Sequence, residues 1–461
     1  MAKRQPPVKP GDEVVLEIQN YTGEGEGVAR INGFTVFVPG ALVGEKVAAS
    51  IDVVKKTYAR AHLLDEGVRF ASPERIEPPC PLYLDCGGCQ LLHQSYEGQL
   101  AMKQQRAIDA LSRIGGITGI TVHPVIGMAS PWHYRNKVQY PFGKRNGRII
   151  AGCYEMGTHR VVETPDCQIQ HPMNNRVVEG VRRLAEEFGL SVYDEKTHKG
   201  LLRHVLVRRA FGTGETSVVL ATNDPYFPRG KEFAGRLADE FPDIRSVIQN
   251  INSTHGNKVL GDDNVVLWGE DGITDILGGL EFKISATAFY QVNPVQTLAL
   301  YKKAVEYAGL SGKEKALDVY CGVGTLTLFL ARQALEIYGI EANKNAIEDA
   351  TANAKLNRIS NVRFIAGRAE KVLPDLAEAG ITFDVAVVDP PRAGCQPEVL
   401  QALANTGARR IVYVSCNPST LARDLKDLVQ LGYKAEEVQP VDMFPQTYHV
   451  ECVVLMSRVE K

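Results

Sequence analysis

Strands and helices alternate along the last third of the chain, and this alternation limits the fold more than any other feature. Apolar runs typical of buried strands recur from Lys315 onward, each followed by a helix-like segment. Such alternation favours a parallel sheet with helices on both faces. Two final strand-like runs, joined by a short segment containing proline, predict an antiparallel hairpin that completes the sheet. The C-terminal region is therefore predicted to be a doubly wound α/β domain.

A glycine-rich turn follows the first strand of this region. It runs from Asp318 to Thr325 and contains Tyr320, and its glycines let the backbone turn tightly and approach a ligand closely. The next strand ends in Glu341, where a carboxylate can accept hydrogen bonds from two ribose hydroxyls. The two features together predict an adenosyl ligand. The alternative is that Glu341 only caps the helix beginning near Asn343.

Three chemically active side chains follow later strands of the same pattern. Asp389 ends one strand and Cys416 the next, and carboxyl ends of parallel strands meet at the ligand-binding edge of such a sheet. A thiol reacts as the thiolate, and the helix beginning near Ser419 offers one means of lowering its pKa. Glu451 lies within an otherwise apolar strand, where an unpaired carboxylate is costly. Cys416 is thus a candidate nucleophile and Glu451 a candidate buried base, the alternative for Cys416 being an inert buried cysteine.

A group of cysteines lies in the first third of the chain. Cys80, Cys86 and Cys89 are close in sequence, and a fourth ligand must come from elsewhere. Thiolate clusters in cytosolic proteins hold zinc or iron–sulfur centres, and the spacing favours neither. Cys321 and Cys395 carry no motif role and are interpreted as packing residues.

Two segments have the character of RNA-binding elements. Short strands separated by glycine-rich or polar turns fill about the first 65 residues and predict a small barrel. The segment 132–148 combines five cations with aromatic side chains and has no acidic residue, a composition suited to single-stranded RNA. Its candidate contact residues are Trp132, Tyr134, Arg135, Lys137, Lys144, Arg145 and Arg148. Arg203, His204, Arg208 and Arg209 are candidates to extend this surface, although a solvated basic strand pair is the alternative.

Several motifs together resemble those of the RumA and TrmA type of RNA (uracil-5)-methyltransferases. They are FYQVN, LDVYCGVGTLT, VDPPRAG, VSCNPSTLARDL and MFPQTYHVE, and the first 65 residues resemble the TRAM barrel. The resemblance implies S-adenosylmethionine as methyl donor, with Gln291, Tyr320, Glu341 and Asp389 at its binding positions. It also implies that Cys416 adds to C6 of uracil and that Glu451 removes the C5 proton.

Similarity to the RumA branch implies a [4Fe-4S] cluster on Cys80, Cys86, Cys89 and Cys167, with Cys167 preferred to Cys153. TrmA-type relatives lack both barrel and cluster, so their presence favours 23S ribosomal RNA over transfer RNA as substrate. This inference depends on family analogy. The family further suggests a monomer.

The resemblance and the patterns together give a multidomain chain. Residues 8–67 are expected to form an OB-like TRAM RNA-binding β-barrel and residues 68–285 a central α+β iron–sulfur and RNA-binding domain. Residues 286–461 are expected to form a Rossmann-like class I methyltransferase domain dependent on S-adenosylmethionine, with helix 95–114 a candidate to pack on it.

The predicted function is methylation of C5 of a specific uridine in 23S ribosomal RNA. The alternatives are uracil-5 methylation of transfer RNA, cytosine-5 methylation, and RNA binding without catalysis. No apolar run reaches membrane-spanning length, and the N-terminus lacks the apolar core of a secretory signal. A cytoplasmic protein without membrane association is therefore expected.

Overall fold

The computed structural model describes residues 6–459. Residues 1–5, which contributed to the prediction of location, and residues 460–461 lie outside this range. Within the described range no helix is both long and apolar enough to cross a membrane.

The N-terminal region is a six-stranded sheet with the order β1-β5-β6-β4-β3-β2. Its apolar side chains alternate along the strands and meet in one core around Val36, Val47 and Ile51. Arg75, in the segment after the sheet, pairs with the buried carboxylate of Glu45. The strands are β1 (Glu13–Glu17), β2 (Asn20–Tyr21), β3 (Gly27–Ile31), β4 (Phe34–Val38), β5 (Lys46–Val54) and β6 (Tyr58–Phe70).

The central region contains a seven-stranded sheet with the order β10-β9-β8-β11-β12-β13-β14. Helices α2 and α3 pack on it and bury a core that includes Val181, Val205 and Phe233. The strands of this sheet are β8 (Lys137–Arg145), β9 (Arg148–Tyr154), β10 (Val161–Glu163), β11 (Leu202–Arg209), β12 (Thr216–Thr222), β13 (Ile244–Ile251) and β14 (Asp263–Gly269). The other elements here are α1 (Tyr96–Arg113), β7 (Thr121–Val122), α2 (Pro172–Glu187), α3 (Gly230–Glu240) and the hairpin of β15 (Gly272–Leu277) and β16 (Leu280–Ser285).

The C-terminal region is an eight-stranded sheet with the order β19-β18-β17-β20-β21-β23-β22-β7. Five neighbouring strands are parallel, and β23 and β22 complete the sheet as the antiparallel hairpin that the sequence predicts. The strands are β17 (Lys315–Val319), β18 (Glu336–Glu341), β19 (Val362–Ala366), β20 (Val385–Val388), β21 (Arg410–Ser415), β22 (Tyr433–Val441) and β23 (Glu451–Arg458). The helices are α4 (Pro294–Ala308), α5 (Thr325–Ala331), α6 (Lys344–Leu356), α7 (Ala369–Glu378), α8 (Pro397–Asn405) and α9 (Pro418–Gln430).

Helix α1 precedes the central sheet in sequence but packs on the C-terminal one. Its side chains Ala107, Ala110 and Leu111 share a buried core with β17, β20 and β21. Ser95 caps its first turn by accepting a hydrogen bond from the Gly98 N–H. The chain between the cysteine segment and the central sheet is thereby attached to the C-terminal sheet.

Candidate active site

Strand register brings Cys416 and Glu451 to the same point of the sheet edge. Strands β21 and β23 are antiparallel, and Ser415 lies opposite Cys452. The next pair in this register is Cys416 and Glu451. Asp389 follows the adjacent parallel strand β20 and therefore lies at the same edge.

These three groups lie in a place that is poor in water and rich in negative charge. Glu451 is only 5 % exposed, and burial together with the charge of Asp389 raises its pKa to about 8. Burial and the nearby Asp318 raise the pKa of Asp389 to about 7. Asp318 is itself buried and accepts a hydrogen bond from the Thr327 hydroxyl at 2.6 Å.

The sequence suggested that the helix near Ser419 lowers the pKa of Cys416, but in the structure the pKa of this thiol is raised. Helix α9 begins just after Cys416, and Asn417 caps it. Burial, followed by the charges of Glu451 and Asp389, nevertheless raises the pKa of the thiol to about 11. Burial of the thiol and these two carboxylate charges outweigh the effect expected from the helix N-terminus. Positive charge close to the sulfur therefore favours formation of the thiolate.

Arg392 supplies the protein's own positive charge here, and sequence reasoning did not single it out. Its charge lowers the pKa values of both Cys416 and Glu451, although burial has the larger effect on each. The Arg392 carbonyl accepts hydrogen bonds from Asn417 and Thr420, which fix its loop to the start of α9. Its place within VDPPRAG, three residues after Asp389, was the available signal.

The glycine loop forms the second part of the site. Tyr320 has a φ of 71° and Gly322 a φ of 54°, so the backbone turns through the left-handed region directly after β17. A side-chain carbon added at Gly322 would meet no atom within 4 Å, so the loop faces open space. The Glu341 carboxylate accepts hydrogen bonds from the Gly322 N–H at 3.2 Å and the Asn343 N–H at 2.8 Å. Glu341 therefore both supports the loop and binds the N-cap residue of α6.

The remaining predicted ligand positions lie beside this loop and edge. Burial raises the pKa of the Tyr320 hydroxyl, and the nearby Cys395 thiol raises it further. The Gln291 carbonyl accepts a hydrogen bond from the Asn136 side chain at 3.0 Å. Phe289, two residues earlier, is 69 % exposed, so its ring is free to stack on a base.

A buried network holds the segment that leads into Glu451. Lys103 of α1 pairs with Asp442 at 2.6 Å, and both side chains are fully buried. Gln99 exchanges two hydrogen bonds with Gln446, at 2.9 and 3.0 Å. Five backbone carbonyls of the segment also accept hydrogen bonds. Asn293 donates to Met443, Lys103 to Phe444 and Tyr134 to Pro445. The Gln90 and Leu91 N–H groups donate to Gln446, and Arg106 donates to Tyr448.

One predicted RNA-contact residue is excluded by this network. Tyr134 is 1 % exposed and its hydroxyl donates to the Pro445 carbonyl at 2.9 Å. The prediction that it stacks on RNA is wrong because its side chain is buried and its hydroxyl is bonded within the segment that leads into Glu451. Lys144, Arg145 and Arg148 are exposed, and Trp132, Arg135 and Lys137 are half-buried.

The cysteines of the first third come together with a fifth thiol. The charges of Cys167, Cys86 and Cys80 each contribute to raising the pKa of Cys89, after burial. A hydrogen bond with Cys153 lowers the pKa of Cys86 to about 7. The donor set suits a thiolate-bound metal centre. Between residues 6 and 459, however, no three Cys, His, Asp or Glu side chains are arranged to hold a metal ion.

Comparison with known proteins identifies the relationship. The family described as tRNA (Uracil-5-)-methyltransferase matches residues 248–459, and the TRAM domain matches residues 7–64. An uncharacterized RNA methyltransferase of Halalkalibacterium halodurans is 48 % identical over 457 residues, 99 % of each chain. Another from Clostridium tetani is 47 % identical over 455 residues, 99 % of this chain and 98 % of that one. This chain belongs to the RNA uracil-5-methyltransferase family.

A solved structure supports the same assignment for this RNA uracil-5-methyltransferase. The tRNA (uracil-54, C5)-methyltransferase of Pyrococcus abyssi, in complex with S-adenosyl-L-homocysteine, superposes with a TM-score of 0.77 at 28 % identity. The match covers 96 % of this chain and all of the other. The N-terminal TRAM domain and the C-terminal fold of an S-adenosylmethionine-dependent methyltransferase are thereby confirmed, whereas the predicted iron–sulfur character of the central region is not.

The same comparison weakens one argument from the sequence. The match covers 96 % of this chain, so the unmatched part is shorter than the barrel at residues 7–64. A relative named for transfer RNA therefore extends over barrel residues. The barrel does not by itself distinguish a ribosomal from a transfer RNA substrate.

Proposed function

We propose that this enzyme methylates C5 of a specific uridine in 23S ribosomal RNA through a covalent bond between Cys416 and C6. The observation that carries the chemistry is the register that sets Cys416 opposite Glu451, beside Asp389. A nucleophile and a base are needed on one pyrimidine because C5 of uracil is too weak a nucleophile to take a methyl group directly. Covalent catalysis divides this difficult step into easier ones.

The electrostatics of the site favour a cationic methyl donor. Asp318, Asp389 and Glu451 all have raised pKa values because they are buried near one another or near other acids. A sulfonium ion within reach would stabilise their ionised forms and that of Cys416. Bound S-adenosylmethionine supplies this charge and an electrophilic methyl group. Gln291, Tyr320, Glu341 and Asp389 are the residues proposed to hold it.

The protein's own groups then act in sequence. The Cys416 thiolate adds to C6 of uracil and shifts electron density to C5. C5 would then bond to the methyl group while the methyl–sulfur bond breaks, its electron pair staying on the donor sulfur as a neutral thioether. Glu451 removes the C5 proton, and the electron pair of that C–H bond restores the ring double bond as the C6–sulfur bond breaks. Cys416 leaves as thiolate, and Glu451 holds the proton until solvent takes it. The target base must leave its stack to reach this buried edge.

A first experiment tests substrate and product together. Protein-free large-subunit RNA and bulk transfer RNA, both from a strain lacking this gene, are incubated with labelled S-adenosylmethionine, digested to nucleosides and mapped. We expect 5-methyluridine at one or two positions of 23S RNA, and Cys416→Ala should abolish incorporation while retaining donor binding. Labelled 5-methylcytidine would contradict the base assignment, and full turnover by Cys416→Ala would contradict the nucleophile.

Uracil-5 methylation of transfer RNA is the second candidate function. It is favoured by the relative from Pyrococcus abyssi, whose name assigns it to uracil-54 of transfer RNA and which matches almost the whole chain. Incorporation into transfer RNA alone would establish this alternative. The RNA contacts proposed for either substrate are Trp132, Arg135, Lys137, Lys144, Arg145 and Arg148.

We also propose that Cys80, Cys86, Cys89 and Cys167 hold a [4Fe-4S] cluster. This is supported by the mutual repulsion of these thiols, since a cationic centre would relieve the rise in the pKa of Cys89. Absorbance near 400 nm after anaerobic purification, with iron and sulfide analysis, tests the proposal. Colourless protein with stoichiometric zinc would overturn it.

A further inference from the structure

A small cavity lies between the central sheet and the β15–β16 hairpin, outside the catalytic edge. Its volume is about 10 Å³, and its polar lining consists of Lys137, Arg208, Ser217 and Ser285. The rest of the lining is apolar and includes Leu206 and Ile284. A space of this size admits about one oxygen atom.

Two cations meet in this cavity without a carboxylate partner. Lys137 of β8 and Arg208 of β11 are directly opposite each other in the antiparallel register. Arg208 is 7 % exposed, and its guanidinium donates to the Ala288 carbonyl at 2.8 Å. Neither cation lies within 4.0 Å of a carboxylate oxygen in the part of the chain that the structure describes. Like charges placed opposite each other on neighbouring strands destabilise the sheet.

Asp275 acts on Arg208 through its charge, after burial and Tyr290. One of its oxygens, however, accepts hydrogen bonds from the Gly212 and Ile276 N–H groups at 2.7 and 2.9 Å, and the other accepts one from the Tyr290 hydroxyl at 3.3 Å. Burial and the charge of Arg208 lower the pKa of Lys137 to about 8. The pair therefore carries an uncompensated positive charge.

A third group in the cavity also lacks a partner. The Ser217 hydroxyl belongs to a residue that is 5 % exposed, and it makes no hydrogen bond within residues 6–459. Ser285, by contrast, donates to Asp349 at 2.7 Å. The cavity thus offers a hydroxyl and two cationic N–H donors, a set that is satisfied by a negatively charged acceptor.

We propose that the pocket between Lys137 and Arg208 binds one oxygen of a phosphate group, with the phosphorus at its half-buried mouth. Arg208 holds the Ala288 carbonyl, and the exposed ring of Phe289 and the cofactor position Gln291 follow directly. The pocket thus adjoins the segment that carries Phe289 and Gln291, which makes an RNA backbone phosphate the expected source. That source rests on the proposed function, whereas the affinity for phosphate does not.

The first arm of the test needs neither RNA nor methyl donor. Melting temperatures of the full chain are compared in sodium phosphate and sodium MOPS of equal ionic strength. We expect phosphate to raise the wild-type value by about 2–4 °C, Lys137→Met to lose this rise, and Lys137→Arg to retain it. Lys231→Met, which removes an exposed charge from α3, is the matched control and should respond as wild type.

The second arm measures binding of large-subunit ribosomal RNA as a function of salt. Lys137→Met should lower the slope of log affinity against log salt concentration by about one phosphate contact. A smaller slope for Lys137→Met than for wild type supports RNA as the source of the phosphate, even if free phosphate binds too weakly to shift the melting temperature. A phosphate shift without a change of slope supports the pocket and assigns it to free phosphate.

Equal responses of wild type and Lys137→Met in both arms would overturn the proposal. The outcome is separable from that of the proposed function. A phosphate shift that depends on Lys137 in a protein that methylates no RNA would leave the pocket standing and remove the reaction.

Discussion

Two buried carboxylates stand at opposite ends of the same segment, and their surroundings differ completely. Asp442 is paired with Lys103 at 2.6 Å and accepts a further hydrogen bond from the Tyr96 hydroxyl at 2.9 Å. Glu451 is equally buried, yet no hydrogen bond to its carboxylate is present in the described part of the chain. The first belongs to a buried ion pair, and the second is the proposed base, whose pKa is raised. Burial alone does not mark a catalytic acid or base, because a missing partner is also required.

The largest effect is expected from Glu451→Gln, which keeps the volume and removes the base. We predict a fall in turnover of about 10²–10⁴-fold. Because the C5 proton then stays in place, Cys416 cannot be expelled, and a covalent protein–RNA complex should accumulate. Denaturing gels with labelled RNA detect it, and the double variant with Cys416→Ala should show none. If Glu451→Gln turned over at the wild-type rate, Glu451 would not be the base, and its contrast with the paired Asp442 would have no catalytic meaning.

Lys103→Met tests the paired side of the comparison. It leaves Asp442 buried without its cation, and we expect the free energy of unfolding to fall by about 3–5 kcal/mol in urea titrations. Arg113→Met breaks the exposed pair with Asp109 on the same helix and should cost about 0–1 kcal/mol. Adding Asp442→Asn to Lys103→Met should recover part of the loss. Equal effects of Lys103→Met and Arg113→Met would show that the buried pair is not structural.

The pH dependence of stability separates the two carboxylates further. The pKa of Glu451 is raised from its ordinary value of 4.5 to about 8 in the folded protein. The folded state therefore holds this proton more tightly than the unfolded state, and the stability it contributes is full below about pH 4.5. That contribution is lost as the pH rises through about 8. Glu451→Gln should thus become more stable than wild type by a few kcal/mol towards pH 8.

Thermal melts across this pH range provide the measurement. Glu398→Gln, which removes an exposed carboxylate from α8, is the control and should follow the wild-type curve. Parallel curves for wild type and Glu451→Gln would mean that the pKa of Glu451 is the same in the folded and unfolded protein.

The smallest effect is expected at Gln99, which links α1 to the catalytic segment. Gln99→Leu leaves the Gln446 N–H without its acceptor, at a cost of about 1–3 kcal/mol. We expect kcat to fall and the KM for the methyl donor to change by a smaller factor, because the segment leading into Glu451 is held less firmly. Gln105→Leu, on the exposed side of the same helix, should change neither. A rise in that KM with unchanged kcat would argue against a positioning role.

Much of the site could be predicted from the sequence because parallel strands carry their ligand residues at one edge. The strand ends at Glu341, Asp389 and Cys416 are visible in the alternation of apolar runs, and a parallel sheet aligns such ends. The family motifs added the assignment of Cys416 and Glu451. Cys80, Cys86 and Cys89 were likewise recognisable from their spacing, whereas Cys167 was added by the family resemblance.

Other features could not be predicted because they depend on residues distant in sequence. In the sequence, Tyr134 lies among cationic and aromatic residues that are typical of RNA contacts. In the structure its hydroxyl donates a hydrogen bond to the carbonyl of Pro445, which is distant in sequence. The opposition of Lys137 and Arg208 depends on the register of β8 and β11, which no local pattern fixes. The pKa of Cys416 depends on its burial and then on two carboxylates, Glu451 and Asp389, that other parts of the sheet bring close.

The sequence by itself determined the order of the strands and helices, the direction of the parallel strands and the chemical types of residue at their ends. These follow from apolar periodicity and glycine turns, which act over a few residues. The tertiary structure alone decided which buried charge received a partner. Lys103 of α1 pairs with Asp442 at 2.6 Å. Glu451, by contrast, is affected by burial, by the charge of Asp389, which raises its pKa, and by that of Arg392, which lowers it. Charge pairing and desolvation act through space, so the contrast between a structural and a reactive carboxylate appears only in the folded protein.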